Sequence, residues 1–459
     1  MHVQRYSSVW GRVMKKDIFY TICTKVFDYL NSNEQLTLFL EGEDSQYFRF
    51  NDSKLRQSGI IEDFNITLSL YHGNKSLQSM TTISSDIDFS VKNLTREIDV
   101  LRSSLDATPS NNNIIFPDKF DSVEIDALGN LPERDQILDS LMGVIDKNVL
   151  TGVWSSGKIF RGCCTSNGTK HWFEKDSFLF DFSLIDEKEN MVKVLYPNSD
   201  WNESDFNRVY REASHQLSLM NKPRMELKPG KYRTWFEPFA VADFVDMFSW
   251  NGVSESSIRK GSSGFIKMRD KNKNLSPLFS LDESFENMTT APFNTRGEVS
   301  STIPIISEGV FKNALINSKT AKEYNLVSNY AEDDNTWGMG EYLRSPFIHG
   351  GLLDDNEKLK ALDTGLFLSN IHYLNWSDNL GGRITGLTRY VCYWVENGEM
   401  VAPIKTMRFD DSFYNFFGNN LEAVGSKVLG RPVIDTYDGR NPGETNCPGI
   451  LVNNFELTL

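Results

Sequence analysis

Residues 227–248 read LKPGKYRTWFEPFAVADFVDMF, and this stretch decides how the rest of the chain divides. Lys228-Pro229-Gly230-Lys231 is a turn, because proline pre-sets φ and glycine accepts conformations other residues avoid. Tyr232–Phe236 follows as an aromatic-rich strand. Pro238 sits where a first helical turn tolerates a residue without an N–H. Ala240, Val241, Phe244, Val245 and Phe248 then form the buried face of a short helix. Before this stretch the chain alternates helical and strand periods. Beyond about Asn251 it is richer in glycine and short β-like runs, with turns at Asn397-Gly398 and Asp438-Gly439. We expect an α+β protein with a boundary near residue 225. Residues 1–225 are helices and antiparallel strands; residues 226–459 are mainly β, a sandwich or an open barrel.

Working back toward the N-terminus, two sub-blocks appear, 15–105 and 125–225. In the first, Ile18, Ile22, Val26 and Leu30 mark one face of a helix. Leu36, Leu38 and Leu40 alternate, as do Ile66, Leu68 and Leu70, which predicts half-buried strands. Tyr47–Asn51 reads as another strand, and His72-Gly73-Asn74 as a hairpin turn. Ile87, Val91, Leu94, Ile98 and Leu101 restore the helical period after Ser85-Asp86, a cap. Thr108–Asn113 is a polar loop. The second sub-block repeats the plan: a helix at 133–146, strands on either side of Ser166-Asn167-Gly168, strands at Phe178–Leu184 and Met191–Tyr196, and a helix marked by Phe206, Tyr210, Ala213 and Leu217. The first dozen residues read as a loose extension.

Composition narrows the function. With 39% hydrophobic and 12% aromatic residues the chain fills sizeable cores. The balance of 48 basic and 62 acidic residues, net −14, disfavours nucleic acid or an anionic membrane as the main partner. No apolar run reaches the length of a membrane span or a signal peptide. Five scattered cysteines (Cys23, Cys163, Cys164, Cys392, Cys447) with no CxxC pair indicate a reducing compartment, and we expect a cytoplasmic protein.

The chemistry-bearing residues are sparse. None of the six histidines lies three or four positions from another, so a two-histidine helical zinc site is absent. His349, His372 and Cys447 are what is left for a discontinuous metal site, against ordinary loop or core roles. Cys163-Cys164 lies in a strand whose alternate side chains face opposite ways, so one of the two is core. There is no nucleophile elbow and no phosphate loop. The Asp282-Glu283 pair reads as a solvated turn rather than a general acid/base pair. The densest polar run is Asn379–Arg389, whose glycines, threonines and arginines suit either a solvated β-turn or close contact with a carboxylate or peptide backbone.

These features, taken in order, resemble the TldD/PmbA (TldD/TldE) family of peptide-processing proteins. The resemblance is carried by Leu227–Glu237, by Pro238-Phe-Ala-Val-Ala-Asp243 in the place of the family's metal-binding helix, and by Gly386-Leu-Thr-Arg389, Val395-Glu-Asn-Gly-Glu399 and Pro403-Ile-Lys-Thr-Met-Arg-Phe409, which look like its tGxTR, IENGE and PVKxxRF stretch. Arg49-Phe50-Asn51 and Arg56-Gln57 echo an N-terminal strand of the family. The resemblance implies that an HExxxH helix holds zinc in the TldD-type subunit, while the TldE/PmbA-type subunit lacks it and pairs with the first. Laid on this chain, the two histidines fall at Pro238 and Asp243 and the glutamate at Phe239, with Glu237 one position out of register; Cys447 lies near the place of a C-terminal cysteine whose surroundings differ. The resemblance therefore implies the metal-free kind: no cofactor of its own, no catalytic residue, zinc in a TldD-type partner, and a homodimer as a further state. Unfolded or extended peptide is the implied substrate, with Arg383, Thr385, Thr388, Arg389 and Tyr390 as candidate contacts. Two alternatives stay open: a stand-alone peptidase with a non-standard site, and a peptide-binding modulator of gyrase or toxin systems.

Overall fold

The computed structural model describes residues 14–144, 149–334, 340–434 and 439–459. The extension expected over the first dozen residues, the end of the helix expected at 133–146 and Asp438 of the Asp438-Gly439 turn lie outside them. The architecture is α+β.

The N-terminal half is built on a seven-stranded sheet. Its elements run α1 (Lys16–Phe27), β1 (Glu34–Asn51), β2 (Lys54–His72), β3 (Lys75–Thr82), α2 (Ile87–Leu105), β4 (Val123–Ala127), α3 (Arg134–Val144), β5 (Val149–Thr165), β6 (Lys170–Ile185), β7 (Met191–Asn198) and α4 (Glu203–Leu219). The order is β3-β2-β1-β5-β6-β4, and β7 pairs the far end of β6. β4 runs parallel to β6; the other pairs are antiparallel. Both expected hairpin turns join antiparallel strands, with φ of 58° at Gly73 and 103° at Gly168, where a side chain would be strained.

Strand period assigns the faces. Even-numbered residues of β1, β5 and β6 share one side. Leu36, Leu38, Leu40, Phe160 and Trp172 pack with α1 and α2, and Phe48, Phe50, Trp154, Phe178 and Phe180 pack with α3 and α4 further along the same strands. The odd-numbered face carries Phe39, Cys163 and Phe173, which meet Ala291 and Phe293 from the other half of the chain. Cys163 and Cys164 do face opposite ways, but both are fully buried, because both sheet faces are covered there. The separate strands expected at Leu36–Leu40 and Tyr47–Asn51 are one strand of 18 residues. The polar interval between them stays in the sheet because distant groups satisfy it: Arg161 Nη2 lies 3.4 Å from Glu41, and the Arg440 backbone N–H donates to Glu43 Oε1 at 3.1 Å.

The second half begins with β8 (Gly230–Phe236) and α5 (Pro238–Asp246). Strands β9 (Leu281–Glu283), β10 (Ile303–Ser307), β11 (Val310–Phe311), β12 (Glu332–Asp334), β13 (Gly340–Tyr342), β14 (Pro346–Ile348), β15 (Gly365–Asp378), β16 (Arg383–Glu396), β17 (Glu399–Pro403), β18 (Arg408–Ser412), β19 (Leu421–Pro432) and β20 (Glu444–Leu457) follow. The mainly-β half takes the barrel form. β8 bonds to β15 on one edge and β20 on the other, so the run β8-β15-β16-β18-β20 closes on itself. Alternate residues of these strands again divide. Phe236, Leu366, Leu368, Ile450 and Val452 point inward to Val241, Phe244 and Val245 of α5. Trp235, Phe367, Tyr393, Val395 and Leu451 point outward into the core that contains Phe206, Tyr210 and Leu217 of α4. The two halves thus share a hydrophobic core, and Tyr393 Oη donates to the Gln216 carbonyl across it at 2.8 Å. Among the described residues no helix is long and apolar enough to cross a membrane.

Candidate functional site

Between the halves lies a cavity of about 1180 Å³. Its floor is built from Ser155 and Ile159 of β5 and Lys175 and Ser177 of β6. One wall is β7 and α4. The opposite wall comes from the second half: the first turn of α5, residues 354–359, and the strand ends around Leu429 and Glu444. A cavity of this size between two halves of a chain is where ligand sites are commonest.

Charged groups in the walls are largely paired. Lys175 Nζ donates to Glu444 Oε1 at 2.9 Å, tying the floor to β20. Arg208 on α4 binds Asp205 at 2.6 Å. Glu237, the residue before α5, accepts from Trp235 Nε1 at 2.9 Å and from Lys358 Nζ, both at Oε1. Arg440 inserts from the loop before β20, donating to Ser45 Oγ at 3.0 Å and to the Ser177 carbonyl at 2.8 Å. Burial pulls its guanidinium down to about 10, against the opposing pull of Glu43.

The helix in the place of the metal motif is oriented by its own sequence. Pro238 occupies its first turn, and the apolar residues Ala240, Val241, Phe244 and Val245 turn one face into the barrel. Pro238 and Phe239 are thereby left lining the cavity. Asp243 lies further along and meets Arg431 of β19, whose Nη1 is 3.3 Å from Asp243 Oδ1. The same guanidinium bonds Asp246 at the end of α5, and Asp246 also accepts from Thr445 Oγ1 at 3.0 Å. Burial pushes the Asp243 carboxyl up to about 7, with Arg431 pulling the other way and Asp246 adding to the rise. Cys447 is fully buried in the next strand, its thiol pushed up by burial and by the nearby Asp246. Of the two histidine positions, one thus holds a proline with no donor and the other a carboxylate already bound to a guanidinium, while the glutamate position holds Phe239. This set does not fit a zinc ion.

The other residues singled out in the sequence are dispersed. His349 Nε2 lies 2.8 Å from Asp282 Oδ2. Asp282-Glu283 is strand β9 rather than a solvated turn: Glu283 is buried and accepts the backbone N–H groups of Arg344 and Ser345, at 2.9 and 3.1 Å. His372 stands beside Tyr373 and Arg389. Among the described residues no three His, Cys, Asp or Glu side chains form a metal-binding group. The candidate contacts of β16 split. Arg383 Nε donates to Asp410 Oδ1 at 2.8 Å and Thr385 Oγ1 to the Phe409 carbonyl at 2.9 Å, so both are engaged with β18. Thr388, Arg389 and Tyr390 line a separate cavity of about 140 Å³ with Arg224 and Ile404. There the Arg389 guanidinium lies 4.9 Å from the Tyr390 ring centroid, and Tyr390 has φ 60°. The sequence reading missed Lys358, Arg431 and Arg440; each stood out only as one of 48 basic residues.

A family model described as the PmbA/TldA metallopeptidase C-terminal domain matches residues 229–459. A metalloprotease PmbA homolog of Buchnera aphidicola subsp. Baizongia pistaciae is 24% identical over 144 residues, a match spanning 31% of this chain and 30% of that relative's length. Crystal structures share the fold over nearly the whole chain. TldE from Thermococcus kodakarensis superposes with a TM-score of 0.72 at 12% identity, covering 96% of this chain and all of the other. Proteins described as candidate modulators of DNA gyrase superpose likewise. The one from Thermotoga maritima gives 0.74 at 15% identity, covering 96% of this chain, and the one from Bacteroides thetaiotaomicron 0.76 at 14%, covering 97%; each is itself covered in full.

Proposed function

Because the chain belongs to the PmbA/TldD metallopeptidase family, we propose that it is a TldE/PmbA-like, metal-free subunit that binds unfolded or extended peptide beside a zinc-bearing TldD-type partner. The observation that carries this reading is the state of the motif helix: Pro238 and Phe239 open onto the cleft without a donor, while Asp243 is held by Arg431. A catalytic zinc needs ligands and a base for its water, and these positions supply neither. The cleft supports the peptide part. It has about 1180 Å³ of space, borders strands β7 and β19, and is lined by five basic and six acidic side chains in near balance. Such walls suit a chain recognised through its backbone rather than its side chains. All five cysteines are free and buried, which supports a reducing, cytoplasmic setting.

The test is reconstitution with the HExxxH homologue, using an unstructured polypeptide as substrate. The chain alone leaves the polypeptide intact, and the mixture cleaves it faster than the homologue alone. Leu429→Trp, which fills the cleft, weakens peptide binding by about tenfold, or about 1.4 kcal/mol. Arg389→Ala reports on the smaller cavity: a lowered rate keeps Thr388, Arg389 and Tyr390 as contacts, and an unchanged rate removes them. Cleavage by the chain alone would replace this reading with that of a stand-alone peptidase. Peptide binding without any effect on the homologue would replace it with a modulator.

A further inference from the structure

Asp243 and Asp246 lie three residues apart on α5, so they project from neighbouring positions on one helix face and repel each other. Nothing on α5 offsets them, since neither its first nor its last turn carries a basic residue. The compensating charge comes from β19. Arg431 crosses to the helix and forks between the two carboxylates, its Nη1 on Asp243 at 3.3 Å and its Nη2 on Asp246. Its side chain is only 10% exposed, and its Nε–H is buried without a partner. Register brings the remaining groups in: Arg431 stands opposite Thr445 and Leu429 opposite Cys447 on β20, and the Thr445 hydroxyl donates to Asp246.

We infer that Arg431 is the resident cation of this centre, a guanidinium that joins α5 to β19 through Asp243 and Asp246 and leaves no vacancy for a metal. The charge count explains why an arginine is kept there despite an unpaired Nε–H. Burying one guanidinium between two carboxylates costs desolvation, but removing it would leave two like charges facing each other with no counter-charge. A planar fork can address both carboxylates at once, which an ammonium cannot do with the same geometry. The centre is thus a closed structural clamp at the end of the motif helix. The inference rests on the placement of that helix and not on the partner reading, so the isolated full-length chain decides it.

Two measurements test it. After exposure to excess zinc under reducing conditions and removal of unbound ion, the wild-type chain retains far less than one equivalent by elemental analysis. In thermal unfolding, Arg431→Met lowers the melting temperature, and adding Asp243→Asn and Asp246→Asn to it recovers most of the loss. Recovery marks the arginine as charge compensation, since lost packing alone would not be repaired by removing the two negative charges. One equivalent of zinc in the wild type, lost in Cys447→Ser, would overturn the inference. So would an Arg431→Met chain as stable as the wild type, or a triple variant no more stable than Arg431→Met. If Arg431→Met does not fold, the zinc measurement on the wild type and the folding of the triple variant carry the test.

Discussion

Phe244 shows what single side chains contribute inside the barrel. Its ring centroid lies 4.4 Å from that of Phe416, 5.5 Å from Phe236 and 5.7 Å from Phe409, and it is fully buried. Aromatic contacts of this kind add to the area they remove from water. Phe244→Ala should cost about 3–5 kcal/mol of stability, because a rigid closed barrel collapses poorly into the space left. Urea unfolding checks this, and a loss below about 1 kcal/mol would mean that the barrel relaxes around the gap. The helical period alone identified Phe244 as buried. The family resemblance, not the period, marked its neighbour Asp243 as the place of a missing histidine. What Asp243 does instead was not legible, since Arg431 approaches from a strand far along the chain.

At the scale of elements, the two halves are joined by a histidine that serves as a connector. His171 on β6 is fully buried. Its Nδ1 accepts the Val123 N–H of β4 at 3.0 Å, its Nε2 faces the Gly297 carbonyl at 3.0 Å, and its ring stacks on Phe293. These contacts require the neutral ring with the proton on Nε2. Burial holds its pKa below the ordinary imidazole value, with the Gly297 carbonyl pulling the other way. The unfolded chain takes up a proton near pH 6.5, while the folded chain does so only at lower pH. Stability is therefore lost as pH falls below about 6.5, and the loss levels off below the folded-state pKa. Melting temperatures measured from neutral pH down to about pH 5 should show this fall in the wild type and a flatter profile in His171→Phe. Equal slopes would assign the pH dependence to other groups. The sequence placed His171 correctly in a strand after an Asn-Gly turn. It held no sign of the 297 turn that closes on the ring, because that contact joins the two halves.

For the whole molecule the decisive feature is the shared core. The sequence leads us to expect a boundary near residue 225, yet the barrel strands present Trp235, Phe367, Tyr393 and Leu451 outward to α4 and its neighbours. A chain of residues 226–459 alone would expose this surface to water, and exposed apolar patches of that kind drive association. We expect that fragment to aggregate or to lose cooperative unfolding, as read by light scattering and circular dichroism. A monomeric fragment with a sharp transition would show that the barrel stabilises itself. The same packing creates the cleft: the helices take one face of the N-terminal sheet, and the second half leans on its edge and part of the other face.

Element type was readable residue by residue, because the 3.6 and 2.0 periods and the glycine turns are local properties of the chain. The α+β class, the antiparallel hairpins at Gly73 and Gly168, and the helix after Pro238 all follow from neighbours in sequence. The family resemblance rested on such local runs as well. Closure of the barrel, the joining of β1 across its polar interval, and the cleft did not follow from them. Each depends on pairs such as Trp235 with Leu451, Glu43 with Arg440 and Lys175 with Glu444. Such partners are separated by long stretches of chain. A period encodes which way a side chain points, and only packing in three dimensions decides what it meets.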